Sequence, residues 1–381
     1  MWLFDKRKLH NIEYILLIIV GVICLFGLVA ILAALADAST GGEEADLLET
    51  LSRLNFVTVR KHAMWIGVGF LALVCVAMLD YRIYSKIWYV VMAVCVGLIV
   101  FTGFFGVEQG GTRGWIKISE SFYFQPTEVG KLGLILLLAK TISQKESLEK
   151  FKDLIPTLMV MIVFSIALLT QMDIGTSLVY IFIFAMMVFT GGIRWKHILI
   201  LSGVLLVCCV LLWFVMGEKQ QSRIINFLSG EDVVQLKYAK YAIGSGGFFG
   251  KGILGVDSIS QAGDIFAIHT DFIFASIGES MGFLGGLTLI GLYVIMEIRM
   301  WYLIQHKACD RCGKMIIMGV MAMFMFHIFE NIGMVMGIMP ITGIPLPFIS
   351  YGGSNMLTNM IAIGLVESVC INRPIEPFTA D

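Results

Sequence analysis

The chain has 381 residues, of which 58% are hydrophobic and 14% are charged, and its formal net charge is −1. A soluble domain of average composition carries roughly a quarter charged residues, so this composition excludes an ordinary soluble protein and indicates an integral membrane protein. The eight cysteines form no disulfide pattern, because most lie in apolar stretches. Cys309 and Cys312 have C-x-x-C spacing in a polar loop. Two ligands do not make a zinc site, so a metal or redox function is the less favoured interpretation and the role of this pair stays open.

Ten apolar runs are long enough to cross the roughly 30 Å hydrocarbon layer of a bilayer. In chain order they cover approximately 14–35, 62–79, 87–106, 126–142, 154–170, 174–191, 197–216, 272–297, 315–336 and 354–370. The first run is longer than the apolar core of a secretory signal peptide, so we interpret it as an uncleaved helix. The distribution of Lys and Arg among the loops predicts that both termini are cytoplasmic. The sequence therefore predicts one transmembrane domain over residues 1–381, with a long extracytoplasmic loop at about 217–271.

The fourth run contains Glu128 and Lys131, besides Lys140 near its end, which we count with the adjoining cytoplasmic segment. Charged groups at membrane depth are costly, and they usually face a cavity or a partner. Their spacing of three residues places both on one helix face, where they could pair. Two interpretations stay open from the residues alone: a pair with a functional role, or a buried ion pair that only locks two helices together.

Two aspartates lie where predicted outer loops meet helices. Asp173 occupies a very short turn between the fifth and sixth runs, where a turn-forming or helix-capping aspartate is favoured. Asp271 is the last residue of a His-Thr-Asp triplet at the start of the eighth run. On local grounds the preferred interpretation of Asp271 is also a helix N-cap. The helix dipole would favour its ionised form as well, which is the state that a general base requires.

Two segments outside the runs have an unusual composition. In the glycine segment, residues 244–252, backbone N–H groups beside Lys251 could bind a phosphate, but a plain glycine-rich turn is the preferred interpretation. The proline segment, residues 337–353, is apolar and contains three of the seven prolines, so it cannot be helical throughout. Apolar, non-helical backbone near a bilayer is buried against protein or lines a cavity. We therefore predict that the proline segment forms a pocket wall.

Short motifs along nearly the whole chain, taken in order, resemble those of the SEDS family (shape, elongation, division and sporulation). This family consists of polytopic glycosyltransferases that polymerise peptidoglycan. The motifs are 111–115 (GTRGW), 124–131 (FQPTEVGK), 173–176 (DIGT), 246–252 (GGFFGKG), 269–274 (HTDFIF) and 345–354 (PLPFISYGGS). The stretches 331–337 and 342–347 look more like the elongation members, the RodA type, than the division members, the FtsW type.

The chain departs from the family pattern at three places. The family usually has proline before the aspartate of the short turn, where this chain has Met172. It often has Pro-Glu before the His-Thr-Asp triplet, where this chain has Phe-Ala-Ile at 266–268. We expect these two departures to alter the shape of the loops. The family usually has a second glutamate after Glu279, where Ser280 removes one charge.

The resemblance implies an all-α fold of about ten transmembrane helices, with an active site on the outer face. It makes Asp271 the essential carboxylate, a general base on the 4-hydroxyl of the acceptor N-acetylglucosamine, while the lipid diphosphate of the donor leaves. Glu128 and Lys131 match the functional pair of the family. The candidates to stabilise the negative charge of the diphosphate are Arg113, Lys131 and Lys251, together with a divalent cation such as Mg²⁺ or Mn²⁺. The supporting residues are Glu279, Asp173 and Ser350.

The implied substrates are lipid II and the nascent glycan strand, and the implied partners are a class B penicillin-binding protein (a transpeptidase) and the elongation machinery. The expected location is the bacterial cell membrane, and no nucleic-acid partner is expected. Three alternatives stay open: a lipid II flippase, a division or sporulation member of the same family, and a scaffold. The clustering of unusual polar groups on the predicted outer side, with no matching cytoplasmic set, favours the enzyme over the flippase.

Overall fold

A computed structural model describes residues 11–36, 56–109, 112–119, 122–214, 216–230, 233–253, 258–260, 265 and 267–372. The predicted cytoplasmic ends of the chain, Gly111 of the first motif, Phe266 of the second departure and parts of the predicted 217–271 loop lie outside these residues. The described part folds into thirteen helices and three short strands. The helices are α1 (Tyr14–Ala34), α2 (Phe56–Met78), α3 (Tyr81–Lys86), α4 (Trp88–Phe105), α5 (Pro126–Ser143), α6 (Phe151–Leu169), α7 (Ile174–Thr190), α8 (Trp195–Trp213), α9 (Glu218–Ser229), α10 (Val234–Ser245), α11 (Ile273–His306), α12 (Arg311–Met336) and α13 (Gly353–Ile371).

Ten of these helices coincide with the ten predicted spans: α1, α2, α4 to α8 and α11 to α13. Eight of the ten are long and apolar enough to cross a membrane. Of the other two, α7 is apolar but has only 17 residues, and α5 carries Glu128, Lys131 and Lys140 along its 18 residues. The predicted all-α polytopic membrane fold is therefore confirmed.

A small antiparallel sheet lies between α4 and α5, where the sequence pattern predicts no strands. Its strands are β1 (Val107–Gln109), β2 (Thr112–Ser119) and β3 (Phe122–Phe124), paired in the order β1-β2-β3. The Ser354 hydroxyl fastens the sheet to α13, because it donates to the Tyr123 carbonyl (3.0 Å) and accepts from the Gln125 N–H (3.2 Å). The sheet thus lies at the end of the bundle where α11 begins and the proline segment leads into α13. We call this the Asp271 end.

Helices α5, α12 and α13 form the interior of the bundle, and glycines allow close contacts with their neighbours. A Cβ added at Gly133 of α5 would lie 2.5 Å from Cys95 Sγ, and one added at Gly319 of α12 would lie 2.6 Å from Ile135 Cγ2. By contrast, no residue of α8 is buried. The tightly packed helices are those that carry buried charged groups, whereas α8 lies at the edge of the bundle.

Helix α11 is broken at Gly282, whose φ of 67° is left-handed. The glycine segment donates hydrogen bonds to the helix carbonyls next to this break. The N–H groups of Lys251 and Gly252 donate to the carbonyls of Glu279 and Ser280, both at 2.9 Å. A Cβ at Gly250 would lie 2.3 Å from the Ser280 carbonyl oxygen, so glycine is needed for this approach. The preferred interpretation as a glycine-rich turn is therefore correct, and these two N–H groups are used within the protein.

Candidate active site

Asp271 lies two residues before α11 and is held there through its backbone. Asn331 of α12 donates hydrogen bonds from Nδ2 to the backbone oxygens of Asp271 and Ile344, both at 2.8 Å. The residue at the N-cap of α11 is Phe272, and no side chain makes a capping hydrogen bond there. The local prediction that Asp271 caps a helix is therefore wrong.

Ser350 of the proline segment fixes the residue before Asp271. Its buried Oγ donates to the Thr270 carbonyl (2.6 Å) and accepts from the Leu346 N–H (2.8 Å). The N–H of Tyr351 donates to the His269 carbonyl at 2.9 Å. The proline segment and α12 together therefore bind the backbone carbonyls of residues 269–271. The predicted supporting role of Ser350 stays a prediction. These contacts show how Ser350 could act, by fixing the backbone next to Asp271.

The Asp271 carboxyl group is partly buried, and burial changes its acidity. Burial raises the pKa of Asp271 from 3.8 to about 7, while the positive charge of Arg223 acts in the opposite direction. Gly343 leaves room beside the carboxylate, since a Cβ there would lie 3.4 Å from Asp271 Oδ2. A carboxylate with a pKa near neutrality is suited to general base catalysis, because it is partly ionised at working pH and still binds a proton well.

An apolar cavity of about 390 Å³ opens at the Asp271 end, and Arg223 of α9 lies on its wall. Helices α6, α7, α8 and α9 and residues 340–342 of the proline segment line it. As predicted, the proline segment thus forms part of a pocket wall. Most of the lining side chains are apolar, and the charged ones among the described residues are Asp173 and Arg223. We call it the apolar cavity.

Asp173 is the N-cap of α7, as the local sequence predicts. Its carboxylate accepts hydrogen bonds from the Thr176 N–H (3.0 Å) and from Thr176 Oγ1 (2.7 Å). Because Asp173 also lines the apolar cavity, the capping role and the predicted supporting role are compatible. The supporting role stays a prediction.

The first two departures from the family pattern coincide with left-handed backbone. Met172 has a φ of 52° and Ala267 a φ of 61°. Proline fixes φ near −65° and cannot adopt this conformation. The loop before Asp173 therefore differs in shape from a loop with proline at position 172, as expected. For the loop before Asp271, the altered shape stays a prediction. At the third departure, Ser280 donates from Oγ to the Ser276 carbonyl (2.7 Å) and is buried.

Glu128 and Lys131 form a buried ion pair that connects α5 to α12. Lys131 Nζ lies 2.8 Å from Glu128 Oε1 and 3.0 Å from His327 Nε2. Both members of the pair are almost fully buried. His327 lies one helical turn before Asn331, so the pair and the Asp271 segment contact the same helix. This geometry favours the interpretation in which the pair locks two helices.

Four residues of the site were not predicted from the sequence: Arg223, His327, Glu330 and Asn331. Glu330 is fully buried and accepts a hydrogen bond from Thr342 Oγ1 (2.9 Å), on the wall of the apolar cavity. The cost of ionisable groups at membrane depth, which drew attention to Lys131, applies equally to His327 and Glu330 within their apolar run. Arg223 gives no such signal, since it belongs to a long loop rich in other charges.

Glu279 holds the glycine segment and the residues that follow it. Its carboxylate accepts hydrogen bonds from Lys251 Nζ (2.9 Å), Ser258 Oγ (3.0 Å), and the N–H groups of Ile259 and Ser260 (both 2.8 Å). It is buried, whereas the Lys251 side chain is 25% exposed. The predicted supporting role of Glu279 thus takes the form of organising a loop. The ammonium of Lys251, predicted to stabilise a diphosphate, already contacts this carboxylate.

Arg113 and the predicted divalent cation have weaker support. Arg113 is exposed on β2, opposite Glu108 of β1, and only its neighbour Thr112 lines the apolar cavity. Across the part of the chain that the structure describes, no three His, Cys, Asp or Glu side chains are grouped closely enough to hold a metal ion. Mg²⁺ often binds through one or two carboxylates together with substrate phosphates, so the cation stays a prediction that involves the substrate.

Comparison with known proteins places the chain among relatives that share its fold. A family model described as cell cycle protein, of the FtsW, RodA and SpoVE type, matches residues 14–374. The peptidoglycan glycosyltransferase MrdB of Escherichia coli (strain K12) is 31% identical over 315 residues, which cover 81% of this chain and 84% of that protein. The stage V sporulation protein E of Bacillus subtilis (strain 168) is 30% identical over 332 residues, covering 83% and 87% of the two chains.

Solved structures give the same result. A chain from a study of the structural coordination of polymerization and crosslinking by a peptidoglycan synthase complex matches with a TM-score of 0.76 and 25% identity, covering 94% of this chain and 97% of that chain. The rod shape determining protein RodA of Thermus thermophilus matches with a TM-score of 0.68 and 26% identity, covering 94% and 96% of the two chains. Since the family model spans nearly the whole sequence, the chain belongs to the FtsW/RodA/SpoVE family of polytopic membrane proteins, the SEDS family that its motifs resemble.

Proposed function

We propose that this chain is a peptidoglycan glycosyltransferase that polymerises lipid II during cell-wall elongation, with Asp271 as its general base. The observation that carries the proposal is the partly buried Asp271 carboxylate, whose pKa is raised to about 7 and whose backbone is bound by α12 and the proline segment. The names of the relatives support the reaction and the elongation role, because they include a peptidoglycan glycosyltransferase and a rod shape determining protein.

In the proposed reaction, the 4-hydroxyl of the acceptor N-acetylglucosamine attacks the anomeric carbon of the donor N-acetylmuramic acid. Asp271 accepts the hydroxyl proton as the new C–O bond forms. The bond from the anomeric carbon to the diphosphate breaks on the opposite face, so the configuration inverts and undecaprenyl diphosphate leaves. The side chains of Asn331 and Ser350 donate hydrogen bonds to the backbone carbonyls of Asp271 and Thr270, and these bonds hold the base in position during the transfer.

The leaving diphosphate gains negative charge and needs a cation close to Asp271. Arg223 fits this role better than the residues predicted from sequence, because it acts electrostatically on Asp271 and lines the apolar cavity. Lys131 is buried against Glu128, and Lys251 contacts Glu279. The apolar cavity suits part of the polyprenyl chain. Mg²⁺ or Mn²⁺, when bound with the diphosphate, would add further positive charge.

The proposal includes the side of the membrane and the partner. We infer that the Asp271 end faces the outside of the bacterial cell membrane and that both termini are cytoplasmic, on the basis of the Lys and Arg distribution. We also infer that a class B penicillin-binding protein crosslinks the new strands. Its support is that the structural relative comes from a synthase complex described as coordinating polymerization and crosslinking.

Reconstitution tests this proposal against the flippase alternative. The purified chain, with and without a class B penicillin-binding protein, is incorporated into liposomes that contain lipid II. We expect glycan polymer that requires Asp271. Transfer of lipid II between leaflets without polymer would support the flippase instead. Polymer formed only with a division transpeptidase, and not with an elongation transpeptidase, would assign the chain to the division branch.

A further inference from the structure

A second, smaller pocket of about 170 Å³ adjoins the apolar cavity at the Asp271 end. It lies between α9, α10 and the first part of the proline segment. Arg223, Pro340 and Ile341 line both spaces, so they share one wall. Pockets for whole small ligands usually measure about 300–1,000 Å³. This one therefore has room for a single group of a larger molecule. We call it the basic pocket.

The polar side chains of the basic pocket are hydrogen-bond donors. Arg223 and Lys240 contribute two positive charges, and Asn226 contributes a side-chain amide. None of the described residues that line it is acidic. Guanidinium and ammonium groups that converge on a small space bind carboxylates or phosphates. The chemistry of this pocket therefore calls for an anionic group.

Lys240 reaches the pocket because Gly337 leaves room for it. Gly337 ends α12 with a left-handed φ of 78°. A Cβ at Gly337 would lie 2.6 Å from Lys240 Nζ and 2.5 Å from its Cε. The side chain of Lys240 is therefore seated over the end of α12, next to the proline segment. By contrast, Lys237 lies one turn earlier on α10, is exposed, and has its ammonium 5.8 Å from the centroid of the Tyr241 ring.

We propose that the basic pocket is a diphosphate subsite, in which Lys240 and Arg223 hold the diphosphate of a polyprenyl-linked substrate whose chain enters the apolar cavity. Two anionic groups of lipid II could supply the charge: the diphosphate and the carboxylates of the stem peptide. The diphosphate is bonded directly to the polyprenyl chain, so it must lie beside the space that the chain occupies. The stem peptide is separated from that chain by a sugar as well as the diphosphate. Contiguity with the apolar cavity therefore favours the diphosphate.

This inference rests on the proposed function, but its test does not require turnover. The full chain in lipid nanodiscs is titrated with undecaprenyl diphosphate and, separately, with uncharged undecaprenol. We expect Lys240→Gln to weaken binding of the diphosphate at least about tenfold, equivalent to about 1.4 kcal/mol. Undecaprenol should bind as in the wild type, which also shows that the variant is folded. Lys240→Arg should retain most of the affinity, and Lys237→Gln should retain all of it.

Three results would overturn the assignment: wild-type affinity of Lys240→Gln for undecaprenyl diphosphate, an equal loss for undecaprenol, or an equal loss in Lys237→Gln. A loss seen with lipid II but not with undecaprenyl diphosphate would contradict it too, because the pocket would then bind the stem peptide. Failure of the proposed function is a separate outcome. In that case the wild-type chain would form no glycan polymer, whether or not Lys240→Gln loses its affinity for the diphosphate.

Discussion

Asn331 connects α12 to Asp271: its Nδ2 lies 2.8 Å from the Asp271 backbone oxygen and 2.8 Å from the Ile344 backbone oxygen. One amide group therefore joins three elements, namely α12, the segment before α11 and the proline segment. The carboxylate that we propose as the base depends for its position on a side chain 60 residues away in the sequence.

Asn331→Asp should disable the enzyme while leaving it inserted. An aspartate side chain presents oxygens to two backbone carbonyls, so both hydrogen bonds are lost, each worth roughly 0.5–1.5 kcal/mol. We expect the rate of lipid II polymerisation to fall at least about tenfold. Asn359→Asp is the matched control, since Asn359 is a buried amide on α13 that bonds to Asn355. It should lower thermal stability but not the rate per folded molecule, and equal rate losses would contradict a positioning role for Asn331.

The activity should depend on pH through the ionisation of Asp271. Burial raises the pKa of Asp271 to about 7, so its carboxylic acid loses the proton only near neutral pH. Polymerisation, which requires the carboxylate, should therefore rise with pH through about 7. Arg223 lowers this pKa, so Arg223→Gln should move the midpoint of the pH profile of kcat/KM to higher pH. Lys237→Gln, which removes a positive charge elsewhere in the same loop, should not move it. A midpoint that stays in place or falls in Arg223→Gln would be evidence against this electrostatic contact.

Glu279 should matter for stability more than Lys251. Glu279→Ala leaves the buried N–H groups of Ile259 and Ser260 without their acceptor, and each such loss costs roughly 1–3 kcal/mol. Lys251→Met removes one partner that is 25% exposed, but the hydrogen bonds from Ser258, Ile259 and Ser260 to the buried carboxylate remain, so it should cost less than Glu279→Ala. Thermal unfolding in detergent measures both. We also expect Lys251→Met to polymerise lipid II at nearly the wild-type rate. A large fall in its kcat would instead support the predicted role of Lys251 in stabilising the diphosphate.

A double variant separates the two interpretations of the ion pair on α5. Lys131→Met leaves the Glu128 carboxylate buried without its partner, which typically costs about 3–5 kcal/mol. Changing Glu128→Gln as well removes that charge and should restore most of the stability. If the pair only locks α5 to α12, the double variant should regain much of the polymerisation rate. A double variant that is stable but inactive would show that the charges themselves take part in the reaction.

The parts of the molecule encoded by local pattern were predictable. Each transmembrane helix is a continuous apolar run, and the N-cap at Asp173 follows from its position in a short turn. The break of α11 at Gly282 is different, because its repair depends on the glycine segment, which lies some thirty residues earlier in the chain. The hydropathy pattern shows one apolar run across Gly282 and therefore does not predict the break.

The site residues that lie in family motifs were predictable. Those that reach the site only through tertiary contacts between distant segments were not. Local rules made Asp271 a helix cap, but tertiary hydrogen bonds from Asn331 and Ser350 place it before the helix instead. Arg223 could not be singled out, because its proximity to Asp271 arises only when α9 lies over the apolar cavity. The sheet of β1 to β3 escaped prediction for a similar reason, since its short strands are fixed by contacts with α13.

The most direct test of the central claim is lipid II polymerisation by purified Asp271→Ala, compared with the wild type at equal amounts of folded, membrane-inserted protein. Asp271→Asn is a useful companion, because it keeps the size of the side chain and removes its ability to accept the proton. If Asp271 is the general base, both variants should bind lipid II, keep the thermal stability of a folded protein and form no glycan polymer. Polymer formed at the wild-type rate by Asp271→Ala would contradict the assignment.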